Sequence, residues 1–425
     1  MGNRLLNIRD LTAFSILLFS LLVNAGCTES PSPVPVIPEL TRDEQWVADI
    51  NLFASELPGR HVNLFSKLSR QEFDHDVETL VKAVPRLDDG KIILALARIV
   101  TKVGDAHTTL SIPSSAPFHL FPFELYWFSD GLVVVGAARG YEMTLGKRIT
   151  AIEGTPVGTV FDSVMCYIPH ENVMWARCLS PQALIIAELL NDAGVIMDPA
   201  STSFTFEGAG TIPVSAVPFN ASQSGVSVLS SLSVPVPLYL TNMNLNYWYT
   251  RIDSVRAVYC AYNRCAIMGS QTFNGFTAEL LSILDSTGTD RLVLDLRGNS
   301  GGNSSIARPL IDGIKARSSI DRPGHLFVLI GRKTFSSALI NSVELKNETH
   351  AIFIGEPTGG KPNAFGEVQS FVLPYSHISI QYSTKYFRYG NDNELSFAPD
   401  LMVELSSSDY LQGKDRVLDA ALRYQ

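Results

Sequence analysis

In the last third of the chain, short apolar runs alternate with stretches that are apolar on one side only. "RAVYCAYN" (256–263), "RLVLDLR" (291–297), "HLFVLIG" (325–331) and "HAIFIGE" (350–356) read as strands. Between them, "FTAELLSIL" (276–284), "SSIARPLIDGI" (304–314) and "SSALINSVELK" (336–346) carry apolar residues at helical spacing. Strand and helix alternating through short loops predict right-handed crossovers and a parallel sheet.

The pattern differs upstream. Thr41 with Glu44 and Ser69 with Glu72 have capping-box spacing. Phe73, Val77, Leu80, Val81 and Val84 follow at helical intervals, so 41–104 is expected to be mostly helical. From about 120 to 200, short strands at 131–138 and 147–156 mix with a helix over 183–194. Residues 201–240 are rich in Ser, Val, Thr and Pro and read as strands and loops.

The N-terminus reads as an export signal. Arg4 and Arg9 precede the apolar run "LTAFSILLFSLLV" (11–23), which is too short to span a bilayer by itself. "NAGC" then ends at Cys27 and resembles a bacterial lipoprotein signal, with Cys27 lipidated and firmly anchored. Val23 and Ala25 also suit an ordinary signal peptidase, which would release a soluble secreted protein. "TESPSPVPVIPEL" (28–40), with its prolines, reads as a semi-rigid tether.

A net charge of −9 and a pI near 5.4 argue against nucleic acid or an anionic membrane surface as partner. Cys166, Cys178, Cys260 and Cys265 fit no zinc pattern; Cys166 and Cys178 could pair in an exported protein. No metal or cofactor is called for.

The chemistry gathers on one edge. Loops leaving the carboxyl ends of parallel strands share an edge, where ligands bind. Three such loops are "GNSGGN" (298–303), "RKTFSSA" (332–338) and "PTGGKPN" (357–363). Gly298-Asn299-Ser300-Gly301-Gly302 fits the nucleophile elbow G-x-S-x-G, which makes Ser300 one candidate nucleophile. The same glycines could instead bring backbone N–H groups to an oxyanion. Ser336, at a strand-to-helix junction, is a second candidate, with the bland alternative of an N-cap. Lys361 is a possible base on the neighbouring loop.

Four stretches together resemble the tail-specific, or C-terminal-processing, serine proteases and their tricorn-type relatives. "LVLDLRGNSGGN" resembles D-L-R-x-N-x-G-G, "TFSSA" stands in the place of T-A-S-A-S-E, and "AIFIGEPTGGK" resembles V-G-E-P-T-F-G-K. "FAPDLMVELSSSDYLQGKDRVLDAAL" resembles the closing G-x-x-P-D-x-x-V and terminal helix, and "VGDAHTTL" (103–110) the segment before the substrate-binding domain. The resemblance implies an α/β fold with a crotonase/ClpP-like protease core over 201–425. It also implies an N-terminal helical region (41–118) and a PDZ-like module (119–200). Ser336 becomes the nucleophile, and Gly301 or Gly302 with Ser337 forms the oxyanion hole. The base is Lys361, as in the processing proteases, or His107 with Glu394, as in the tricorn type. Phe365 stands where a polar residue supports the catalytic lysine of the processing proteases, which favours His107. The implied activity is hydrolysis of peptides or protein tails by acyl transfer, on a membrane-tethered protein facing the periplasm or exterior. A binding protein of the same fold is the alternative.

Overall fold

The computed structural model describes residues 40–113, 115–219, 226–228, 236–286 and 288–424. The signal, Cys27 and nearly all of the tether lie outside the described residues.

The alternating third folds as its pattern predicts. Strands Ala257–Tyr262, Arg291–Asp295, Leu326–Ile330 and Ile352–Gly355 are parallel neighbours in that order. Tyr247–Ile252 adds an antiparallel edge on one side and Leu401–Met402 a parallel one on the other, giving six strands. Side chains alternate across a sheet with period two. Val258, Cys260, Leu292, Leu294, Val328 and Ile330 accordingly pack with the helices Phe273–Asp285, Arg308–Lys315 and Ser337–Glu348. Tyr259, Ala261, Val293, Phe327 and Leu329 face the opposite way, against the C-terminal helix Arg416–Leu422. Burying both faces explains why these strands are nearly continuous apolar runs.

The N-terminal helices Arg42–Arg60, Arg70–Ala83 and Asp89–Lys102 form as read, and both capping boxes are present. A separate apolar core joins them to residues 118–214 and to Leu373, Ile378, Ile380 and Tyr382. Those last four belong to an antiparallel hairpin, Asn363–Val372 with Ser379–Arg388. Thr109–Ser111 pairs along its second strand, Thr109 opposite Gln381. One core thus unites segments that the sequence assigned to three regions.

Two expectations are corrected. The boundary at 200 cuts a sheet, because Ser201–Phe206 pairs with Ile149–Ile152 and with Gly210–Ser215. The helix expected over 183–194 is shorter: Val173–Ala183 ends where it should begin, 184–186 break the helix, and only Ala187–Asp192 forms. The break has a tertiary cause: the Ile185 carbonyl accepts from Phe121 N–H at 2.7 Å, and Ile186 bridges Leu120. Cys166, Cys178, Cys260 and Cys265 are all free thiols.

Candidate active site

The three glycine- and serine-bearing loops do converge on one edge. Thr334 ties them together: its hydroxyl donates to the Leu296 carbonyl at 2.9 Å, and its carbonyl accepts from Gly360 N–H at 3.1 Å. Phe335 N–H donates to the Asn299 carbonyl at 3.2 Å. Below this edge, Arg297 bonds Asp295 and makes a two-pronged pair with Asp415, at 2.9 and 2.8 Å. Arg332 pairs with buried Glu356 and reaches the Trp127 carbonyl at 2.8 Å. The charged residues of the D-L-R and G-E-P-T stretches are therefore scaffold.

Ser336 is held in an unusual backbone state, φ 51° and ψ −125°. A non-glycine residue there costs about 1–3 kcal/mol and persists only where its surroundings impose it. Its side chain makes no capping bond to the helix it precedes, so the N-cap reading fails. The strained backbone turn that an elbow at Ser300 would require is found at Ser336. Ser300 has no such strain; it is exposed on the rim.

The glycine loop closes on this serine. A Cβ on Gly301 would lie 2.7 Å from Ser336 Cβ and 3.0 Å from Ser337 N. Gly301 and Gly302 sit at φ 111° and 133°, which side-chain-bearing residues avoid. Gly301 N–H already donates to Asn299 Oδ1 at 2.9 Å. The N–H groups of Gly302 and Ser337 donate to no acceptor among the described residues. Ser337 Oγ donates to the Gly302 carbonyl at 2.6 Å, clamping together the two residues that carry those N–H groups. Of the two glycines named from sequence, Gly302 is the one with a free donor.

His107 arrives from the other core, just before the Thr109–Ser111 strand. Its ring stacks on Phe335 with centroids 4.5 Å apart, and Phe335 stacks on Trp175 at 4.0 Å. Both ring nitrogens are buried with no hydrogen-bond partner. Burial pushes the imidazole below its ordinary pKa, and the charge of Asp105 offsets this only in part. His107, Ser336, Ser337, Gly301, Gly302 and Lys361 all line one cleft of about 940 Å³.

Asp105 anchors this corner. Its buried carboxylate accepts from His61 Nε2 (3.1 Å), Ser383 Oγ (2.7 Å), Thr108 Oγ1 and the His107 backbone N–H (2.8 Å). Burial alone would raise its pKa; the His61 bond, the His107 charge and the two hydroxyls outweigh it and hold the group at about 2. Its distance to His107 Nδ1, 3.8 Å, is too long for a hydrogen bond.

Lys361 lines the cleft and a second cavity of about 540 Å³ beside it. Phe365 is buried edge-on against His61 at 5.2 Å. The structure does not bring Glu394 to His107. Its side chain is exposed and accepts from Asn391 Nδ2 at 2.8 Å, and it does not line the cleft. The carboxyl near His107 is Glu171 instead, which has no motif around it. One ligand atom each of Asp105, His107 and Glu171 lie within 4.8 Å of one another. The four bonds already made by Asp105 leave it little to offer a metal ion. His61, Asp105 and Glu171 were not singled out in the sequence; only Asp105 had a signal, two residues before His107 in "DAH".

No protein-family model matches the sequence, and no curated protein matches it. Solved structures do. Mature CPAF complexed with lactacystin superposes with a TM-score of 0.60 at 13% identity, over 90% of this chain and 98% of that one. This chain has the fold of mature CPAF. The photosystem II D1 C-terminal processing protease (TM-score 0.40, 14% identity, 89% of this chain and 99% of that one) is also similar. So is the tricorn protease (TM-score 0.45, 15% identity, 89% of this chain and 36% of that one). The fold assignment rests on CPAF.

Within this CPAF-like fold, the Asn172 segment of the first core walls the cleft. Asn172 Nδ2 donates to the carbonyls of Gly359 (2.9 Å) and Leu395 (2.7 Å), while its Oδ1 caps the helix at Trp175 N–H (2.8 Å). That one side chain pins the Val173–Ala183 helix to the loop carrying Lys361.

Proposed function

We propose that the chain is a serine peptidase with Ser336 as nucleophile and His107 as general base. The observation that carries this reading is the strained, uncapped Ser336, sharing a cleft with a half-buried His107 whose ring nitrogens are buried and unpartnered. Ser336 Oγ attacks the scissile carbonyl and its proton passes to His107. The oxyanion is met by the N–H groups of Gly302 and Ser337, preorganised donors of the kind that dominate such catalysis. His107 then protonates the leaving amine, and a water deprotonated by His107 releases the acyl group. Burial suits His107 to this work, because a depressed pKa keeps it neutral and able to accept a proton at neutral pH. Lys361 is a charged neighbour that shapes the loop and the local field.

The substrate is a peptide or protein tail. We read the core as crotonase/ClpP-like and residues 119–200, with the Ser201–Phe206 strand that pairs into their sheet, as PDZ-like. The chain is exported and anchored through a lipid on Cys27; a Cys27→Ala variant should leave the detergent-extracted membrane fraction. The peptidase reading is tested by labelling with a fluorophosphonate. Wild type should be labelled at Ser336 and cleave peptides, and Ser336→Ala should do neither. Lactacystin, bound by CPAF, is a second probe. Labelling that survives in Ser336→Ala overturns the assignment.

A further inference from the structure

We infer that Glu171 is the positioning carboxyl of the active site: it selects the His107 tautomer that can accept the Ser336 proton. This rests on the peptidase reading and extends it to a residue outside the motifs.

The argument is one of elimination among groups facing His107. A neutral imidazole has one N–H and one bare nitrogen, and the group bonded to one nitrogen decides the state of the other. Asp105 is already committed: its carboxylate accepts four hydrogen bonds, from His61, Thr108, Ser383 and the His107 backbone N–H. Glu394 is exposed on its own turn. Glu171 has a buried oxygen, Oε2, with no hydrogen-bond partner, and it stands beside a histidine whose nitrogens also have none. A carboxyl oxygen of Glu171 and a ring nitrogen of His107 lie within 4.8 Å. Catalytic hydrogen bonds are often long without substrate and tighten in the complex. Glu171 enters on the loop that the next residue, Asn172, fixes to Gly359 and Leu395.

The ionisation of Glu171 then matters. An ionised carboxylate accepts the imidazole N–H and leaves the other nitrogen bare toward Ser336. A protonated carboxyl donates instead, which places the N–H on the Ser336 side, where it cannot act as base. The groups facing Glu171 are Asp105, His107, Lys361 and Lys67. Burial first, and then the charge of Asp105, push Glu171 up to about 8, and the two lysines offset this in part. Activity should therefore be low when the carboxyl is protonated and rise with pH as it ionises.

The test uses the full chain, Glu171→Gln and Glu171→Asp. In the wild type, kcat/KM should rise through a step near pH 8. Histidine NMR should show the His107 ring responding at that same step, besides its own titration. Glu171→Gln should lose the upper step in both measurements and lower kcat at least about tenfold, with KM within about twofold. Glu171→Asp, which keeps the carboxyl, should retain a step and part of the activity. If Glu171→Gln fails to fold, the wild-type NMR titration decides alone. A His107 signal without the upper step, or a Glu171→Gln enzyme with unchanged kcat and pH profile, overturns the inference. Fluorophosphonate labelling run in parallel separates this from a failure of the peptidase reading, which would show as an unlabelled Ser336 whatever the NMR reports.

Discussion

Replacing Gly301 with alanine is the sharpest test of the proposed oxyanion geometry, because the structure says where the methyl group goes. It would sit 2.7 Å from Ser336 Cβ, 3.0 Å from Ser337 N and 3.2 Å from the Phe335 carbonyl. Carbon atoms pack best at about 3.5–4.0 Å, so one of the two loops must retreat by roughly an ångström. The backbone at φ 111° is also one that alanine resists, a strain on the order of 1–3 kcal/mol. The first effect falls on chemistry. A misplacement of ~1 Å costs about 10² in rate, and loss of an oxyanion donor costs about 10²–10³. Gly301→Ala should therefore lower kcat by about two to three orders of magnitude and lower the thermal midpoint by several degrees. The assay pairs peptide hydrolysis with the rate of fluorophosphonate labelling, since both need the same donors. Ser300→Ala, one residue away with an exposed side chain, should keep the label and most of the activity. A Gly301→Ala enzyme that labels and cleaves at wild-type rates would refute the placement of the nucleophile against this loop.

His107→Ala should lower kcat by about 10²–10⁴ with a similar KM, while Lys361→Ala should cost less; the reverse order would make Lys361 the base. Ser337→Ala keeps its backbone N–H but frees the Gly302 carbonyl, so kcat should fall moderately with no loss of fluorophosphonate specificity for Ser336, as read by labelling and hydrolysis together. Asp105, held at about 2 against about 3.9 unfolded, adds roughly 2–3 kcal/mol of stability that is present above pH ~4 and lost as the pH falls toward 2. Asp105→Asn should remove that slope; urea unfolding at several acidic pH values that shows the same slope in both proteins would refute it.

What could be read from the sequence was whatever is local. The parallel strands are legible because both faces are buried, which writes continuous apolar runs. The first two N-terminal helices are legible because Thr41 and Ser69 announce them. The edge of three loops follows from strand direction alone. What could not be read depends on partners far along the chain. The helix break at 184–186 is imposed by Leu120 and Phe121. The sheet crosses residue 200 because Ser201–Phe206, whose own alternation is clear, finds its partner far upstream at Ile149–Ile152. Glu394 had a favourable position in the chain, yet its side chain folds back on Asn391. Glu171 has nothing around it that marks it, and it acquires interest only when the fold sets it beside His107.

That dependence explains how the site is assembled. Ser336 stands on the six-stranded sheet, whereas His107 belongs to the other core. Their apposition is fixed by a few long-range ties rather than by either core alone. The Thr109–Ser111 strand registers His107 on the hairpin, and Gln381 Nε2 holds the His107 carbonyl at 2.9 Å. Asn172 carries the third segment to the Lys361 loop. Gly359 is the tightest point of that junction, since a Cβ there would lie 2.1 Å from the Arg332 carbonyl oxygen and 2.7 Å from the Trp175 ring. Arg332 belongs to the Ser336 loop and Trp175 to the wall that backs Phe335 and, through it, His107. A side chain at Gly359 would push the Ser336 loop and the wall apart at once, without touching Ser336 or His107. The glycines after Pro357 therefore serve packing: they let three segments meet closely enough for a serine and a histidine from separate cores to face one cleft.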